Sequence, residues 1–143
     1  MSDNTSTSLL RRFHDEWQPF WNRIEALDAA ALRTLPANGE WPFALTLAHC
    51  ARWEDWTFAS VNNHVYDGAA PSMAGVEHWN DQWAAEDRDV TPEDARSRLG
   101  EAHERLAALI ESLHPDQWDD VVRRTIDFCT FHHYSEHIGD LPA

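Results

Sequence analysis

His133 and His137 stand four residues apart, which on an α-helix puts both imidazoles on one face about one turn from each other, the spacing of a two-armed metal clamp. Three- and four-residue steps from this pair reach Ile126, Cys129, Thr130 and Leu141, so the stripe that carries it is otherwise small or apolar and is expected to face inward. His49 makes a parallel case, because the same steps reach Leu45, Thr46, Trp53 and Trp56. Three inward histidines from two helices supply three ligands to a divalent metal and leave a fourth position for water or substrate, the pattern of an open catalytic site. A structural zinc site more often has four protein ligands. The spacing does not require a metal: nine histidines in 143 residues make such a pair unsurprising, and the glutamate of an HExxH motif is missing. Two core histidines bonded to backbone carbonyls satisfy the same pattern.

Other side chains fall near these faces. Glu136 precedes His137 and is a candidate general acid or base, against the alternative of a solvated helix-face carboxylate. Tyr134 lies about 100° around the helix from His133 and is a candidate to present its hydroxyl at the rim, against plain core packing. Glu54 points about 140° away from His49, which suits a supporting or surface role rather than a ligand. Trp53 and Trp56, with Trp79 and Trp83, are candidates to wall a substrate pocket together with Cys129, although tryptophan at helical spacing is more often core. His132 borders the His133 face; His14, His64, His78, His103 and His114 read as surface or packing residues. No GxSxG or CxxC context marks a nucleophilic hydrolase or redox site.

Helices must position these groups. Leu10, Phe13, Trp17, Phe20, Ile24 and Leu27 recur at three- and four-residue steps, predicting a first helix from about Thr7 to Leu27, bent or broken at Pro19. After Leu35-Pro36 and Asn38-Gly39, Trp41-Pro42 opens a second helix that should end near Asp67-Gly68. A loop over residues 68–75 precedes a short helical stretch from Val76 to Trp83. Thr91-Pro92-Glu93-Asp94 is the strongest helix start, with a capping threonine, a first-turn proline and acids opposing the helix dipole. Leu99, Leu106, Leu109, Ile110 and Leu113 give this third helix its buried stripe, and His114-Pro115 should stop it. A last helix runs from Val121 or Thr125 to Asp140. No segment alternates as a strand does, and the expected fold is an all-α, antiparallel four-helix bundle forming a single domain over residues 1–143.

Composition narrows the function. Eleven basic residues against 25 acidic ones give a net charge of −14, so nucleic acid and anionic membranes are not expected partners, and a small-molecule substrate is. All the basic residues are arginine, which excludes a Schiff-base lysine and a lysine phosphate cradle. Cys50 and Cys129 are too few and too far apart for a disulfide framework, and no segment has the apolar length of a signal peptide or a membrane span, so a cytoplasmic protein is expected. Exposed aromatics also leave a homodimer open.

Residues 40–54, Glu-Trp-Pro-Phe-Ala-Leu-Thr-Leu-Ala-His-Cys-Ala-Arg-Trp-Glu, resemble the DinB/YfiT-like superfamily, where a tryptophan precedes a helix bearing one ligand histidine followed by a Trp-Glu pair. Residues 132–141, His-His-Tyr-Ser-Glu-His-Ile-Gly-Asp-Leu, resemble that superfamily's closing HxxxH helix. His78-Trp79-Asn80 and the Trp-Glu pair look more like the DfsB/ClbS-type branch than the bacillithiol transferases. The resemblance implies a four-helix bundle, His49, His133 and His137 as ligands to zinc or nickel, and either hydrolysis or transfer with a low-molecular-weight thiol. It equally implies a metal-free alternative, a small-molecule binding or self-resistance protein.

Overall fold

A computed structural model of the protein describes residues 6–35, 41–138 and Leu141, leaving aside the side chains of Phe131, His132, Ser135 and Ile138. The turn signals at Pro36 and Asn38-Gly39, the His132 side chain and the helix end at Asp140 therefore lie outside the described residues.

Helix α1 (Ser6–Glu25) buries Leu9, Phe13, Trp17, Phe20 and Ile24, the stripe its periodicity predicts. It runs unbroken through Pro19, so of the bend or break expected there, the break does not occur. Proline removes one i→i−4 hydrogen bond, but Pro19 and Asp15 are both exposed, so the freed carbonyl faces water while the buried stripe on the other side holds the helix together. The Ala/Leu segment after it forms a short helix, α2 (Ala29–Arg33), capped by Asp28, whose carboxylate accepts from the Ala31 N–H at 2.8 Å.

Helix α3 (Phe43–Asp67) starts directly after Pro42 and ends at Gly68, whose φ of 70° only glycine adopts easily. The Gly68 and Ala69 N–H groups return to the carbonyls of His64 and Asn63 at 3.0 and 3.3 Å, a Schellman closure. Helix α4 (Val76–Glu86) runs three residues beyond its expected end, and α5 (Pro92–Ser112) is capped as expected by Thr91, whose hydroxyl accepts from the Asp94 N–H at 3.1 Å. The expected last helix is present in three parts: α6 (Asp120–Ile126), one π turn (Asp127–Phe131) and α7 (His132–Ile138). Such π turns shift the phase of the side chains beyond them and are frequent at functional sites.

Two stacked core layers give the topology. Leu9 and Phe13 of α1 meet Val61 of α3, Leu106 and Ile110 of α5, and Val122 and Ile126 of α6. Phe20 and Ile24 meet Phe43 and Leu47, Ala95 and Leu99, and then Tyr134 and Leu141. Helices α1 and α7 thus run one way and α3 and α5 the other. Adjacent pairs along the chain are antiparallel at both ends of the sequence, but α3 and α5 are parallel, so residues 68–91 must carry the chain back along the bundle. Asp87 anchors that return. Its buried carboxylate accepts from Arg52 at 3.0 and 3.1 Å and from Arg98 at 3.1 and 3.3 Å, tying the end of α4 to both long helices.

Candidate metal centre

The bundle brings His49 of α3 together with His133 and His137 of α7. Ring centroids of His49 lie 5.5 Å from His133 and 5.4 Å from His137, and the α7 pair is separated by 4.5 Å. One ligand atom from each of the three lies within 4.8 Å of the others. Metal–nitrogen bonds of about 2.0–2.1 Å put any two nitrogens of one ion no more than about 4.2 Å apart, close to the spacing here.

Electrostatics suit the same role. Burial first and the neighbouring His137 second lower the His49 imidazole to a pKa of about 4, so His49 is neutral at pH 7. Its Nδ1 is buried without a hydrogen-bond partner. Leaving a buried nitrogen unpaired costs about 1–3 kcal/mol, and a neutral imidazole is the form that binds a cation. The three residues therefore fit a divalent ion by spacing, and His49 fits it also by its neutral form and its otherwise unexplained Nδ1.

A cleft of about 450 Å³ opens on the three histidines, with Trp41, Trp53, Asn80, Phe128, Cys129 and Glu136 among its walls. Trp41 stacks obliquely near His49 at 5.3 Å, and Trp53 is held from α4 by Asn80, whose side-chain oxygen accepts from the indole N–H at 3.2 Å. Trp79 and Trp83 pack behind Trp53 rather than on the cleft. Glu136 is exposed at the edge of the cleft. Cys129 is 3% exposed and burial raises its thiol to about 11, so it is a wall and not a nucleophile. Trp56 lines an adjoining lobe instead of the space at the histidines.

Tyr134 takes the core-packing alternative, at 2% exposure. Its hydroxyl does not reach the rim but donates inward to Oε1 of Glu54 at 2.5 Å, and burial, reinforced by Glu54, raises its pKa well above the usual phenol value. Glu54, whose surface alternative also fails, is 1% exposed. His103, read from the sequence as packing or surface, is buried with its Nδ1 3.0 Å from the same Glu54 oxygen, its ring stacked on Trp17 at 3.6 Å and on Phe13 at 4.8 Å. No local spacing signals this network, since its members are 49 and 80 residues from Glu54 in the chain.

The sequence pattern of the DinB superfamily matches residues 12–139. The chain belongs to the DinB superfamily. Two solved structures share the DinB fold across 95% of this chain: an uncharacterised protein from Escherichia coli UTI89, at 12% identity, 90% of its own length and a TM-score of 0.78; and the colibactin self-resistance protein ClbS in complex with double-stranded DNA, at 16% identity, 92% of its length and a TM-score of 0.77. Identities this low carry the fold alone. No curated protein matches the sequence. Among the described residues of this DinB chain, no helix is long and apolar enough to cross a membrane.

Proposed function

We propose that this DinB protein is a metal-dependent enzyme acting on a small molecule, with a divalent ion, zinc or nickel, held by His49, His133 and His137. The observation that carries the reading is the convergence of three imidazoles from two helices on one point beside an apolar cleft. Such an ion supplies Lewis acidity that readies water or a low-molecular-weight thiol for hydrolysis or thiol transfer. The chain's own residues do the rest. His49 stays neutral and available; Trp41 and Trp53 bound the space and keep bulk water from it; Glu136 takes up or returns a proton at its exposed carboxylate.

Metal analysis of protein purified without a histidine tag tests this. One equivalent of zinc or nickel is expected, lost in both His49→Ala and His137→Ala. Retention of the metal by both variants overturns the triad.

The likeness to ClbS favours a second reading, a self-resistance protein that sequesters or opens a reactive small molecule in the same cleft without a metal. Protein that stays metal-free after reconstitution with zinc and nickel, yet still protects against a reactive electrophile, supports it. The DNA in the ClbS structure stands against the expectation of no nucleic-acid partner. At a net charge of −14 this chain repels phosphate, and titration of a labelled duplex at low and moderate salt is expected to show no saturable binding.

A further inference from the structure

A second cavity adjoins the cleft at the histidines and shares one wall with it. Met73, Phe128 and Cys129 line the cleft and also line this second lobe of about 310 Å³, completed by Trp56, Pro71, Val121, Thr125 and Arg124. Each lobe is at the small end of the ~300–1,000 Å³ typical of ligand pockets, and together they make an elongated site.

Two features of the second lobe indicate its occupant. Phe128 is 56% and Met73 37% exposed, large apolar side chains with much surface open to solvent, and both stand on the wall the two lobes share. Covering them with an apolar segment is favourable. Arg124 is the one charged residue among the lobe's walls. Its Nε donates to the Asp120 carbonyl at 3.2 Å, and it has no ion pair among the described residues. On its other side Arg124 borders a polar depression shared with Arg12, Arg123, Asp120 and Asp127, three arginines against two aspartates, so the local balance is positive on a strongly acidic protein.

We propose that the two lobes are one binding site for an elongated amphipathic acid: its reacting group at the histidines, its acyl or arylalkyl segment across Phe128, Met73 and Trp56, and a carboxylate at Arg124. The assignment of the reacting end rests on the metal-centre reading; the second lobe does not.

Calorimetric titration with hexanoate, octanoate and decanoate, on protein as purified and after dialysis against EDTA, tests the site. Affinity is expected to rise by about threefold per added methylene, as for a chain entering an apolar lobe. It should fall about tenfold in Phe128→Asp and about fivefold in Arg124→Gln, reflecting the lost apolar cover and the lost charge-assisted hydrogen bond. 1-Octanol should bind without any dependence on Arg124, and octanoate binding should persist after dialysis against EDTA. Both Phe128 and Arg124 are exposed, so the variants should fold, which circular dichroism checks. Absence of binding, or binding abolished by His137→Ala or EDTA and indifferent to Phe128→Asp and Arg124→Gln, overturns the proposal: in the latter case the carboxylate is captured at the histidines. Lobe-dependent binding by a protein that never takes up metal upholds this site and removes only the metal centre.

Discussion

The Tyr134 hydroxyl donates to Oε1 of Glu54 at 2.5 Å, fastening the last helix to α3 one residue from His133 and five from His49. His103 reaches the same oxygen from α5, so a single carboxylate oxygen joins three of the four bundle elements at the level of the histidines. Tyr134 donates to this oxygen and the His103 ring nitrogen lies within hydrogen-bond distance of it, while Oε2 of the same carboxylate is buried without a hydrogen-bond partner.

Tyr134→Phe removes the hydroxyl donor to Oε1 of a carboxylate whose Oε2 is already buried without a partner. A loss of about 1–3 kcal/mol in unfolding free energy is expected at pH 7 from urea titration. Glu54→Ala strips the shared partner from two buried groups and should cost more, about 3–5 kcal/mol. A Tyr134→Phe variant as stable as wild type would mean the hydrogen bond is not formed in solution.

Asp87 predicts an acid-sensitive joint. Burial works to raise its pKa, but hydrogen bonds from Arg52 and Arg98 outweigh this and bring it below the ordinary 3.8. A carboxylate with a depressed folded pKa contributes stability in full above its unfolded pKa and loses it as pH falls toward the folded value. Asp87→Asn should therefore destabilise the protein by about 2–4 kcal/mol at pH 7, with the gap between variant and wild type narrowing below about pH 4. A gap that is constant from pH 7 to pH 3 contradicts the ion-pair account.

The two cysteines should be inert in the native protein. Cys50 is 1% and Cys129 3% exposed, and the Cys129 thiol lies at about 11. A chromogenic disulfide reagent at pH 8 is expected to titrate both thiols only after unfolding. Fast labelling of Cys129 in folded protein would show that the cleft opens far more than its walls suggest.

Glu136 lines the cleft but is not one of the three converging groups. Glu136→Gln should keep the full metal stoichiometry and lose only proton transfer, in contrast to His137→Ala. Loss of metal in Glu136→Gln would make this carboxylate a fourth ligand.

Much of the fold was legible in the chain. The α1 stripe, the Thr91 cap and the Gly68 stop are local events, written in residues within one or two turns of one another. The inward facing of His49, His133 and His137 followed from the same periodicity, because each shares a face with apolar neighbours. Continuity through Pro19 was not legible, since it depends on which side of α1 meets water.

What a sequence determines by itself here is helix content, caps and the faces that seek burial, all set by interactions over three or four residues. Tertiary structure alone decided that α3 and α5 run parallel, that α7 lies beside α3 with three imidazoles facing one another, and that Tyr134 turns to Glu54 instead of the rim. It also decided that the histidine cleft and the lobe at Arg124 share the wall of Met73, Phe128 and Cys129. These outcomes depend on pairings between residues tens of positions apart, and periodicity within a helix carries no information about which distant face it will meet.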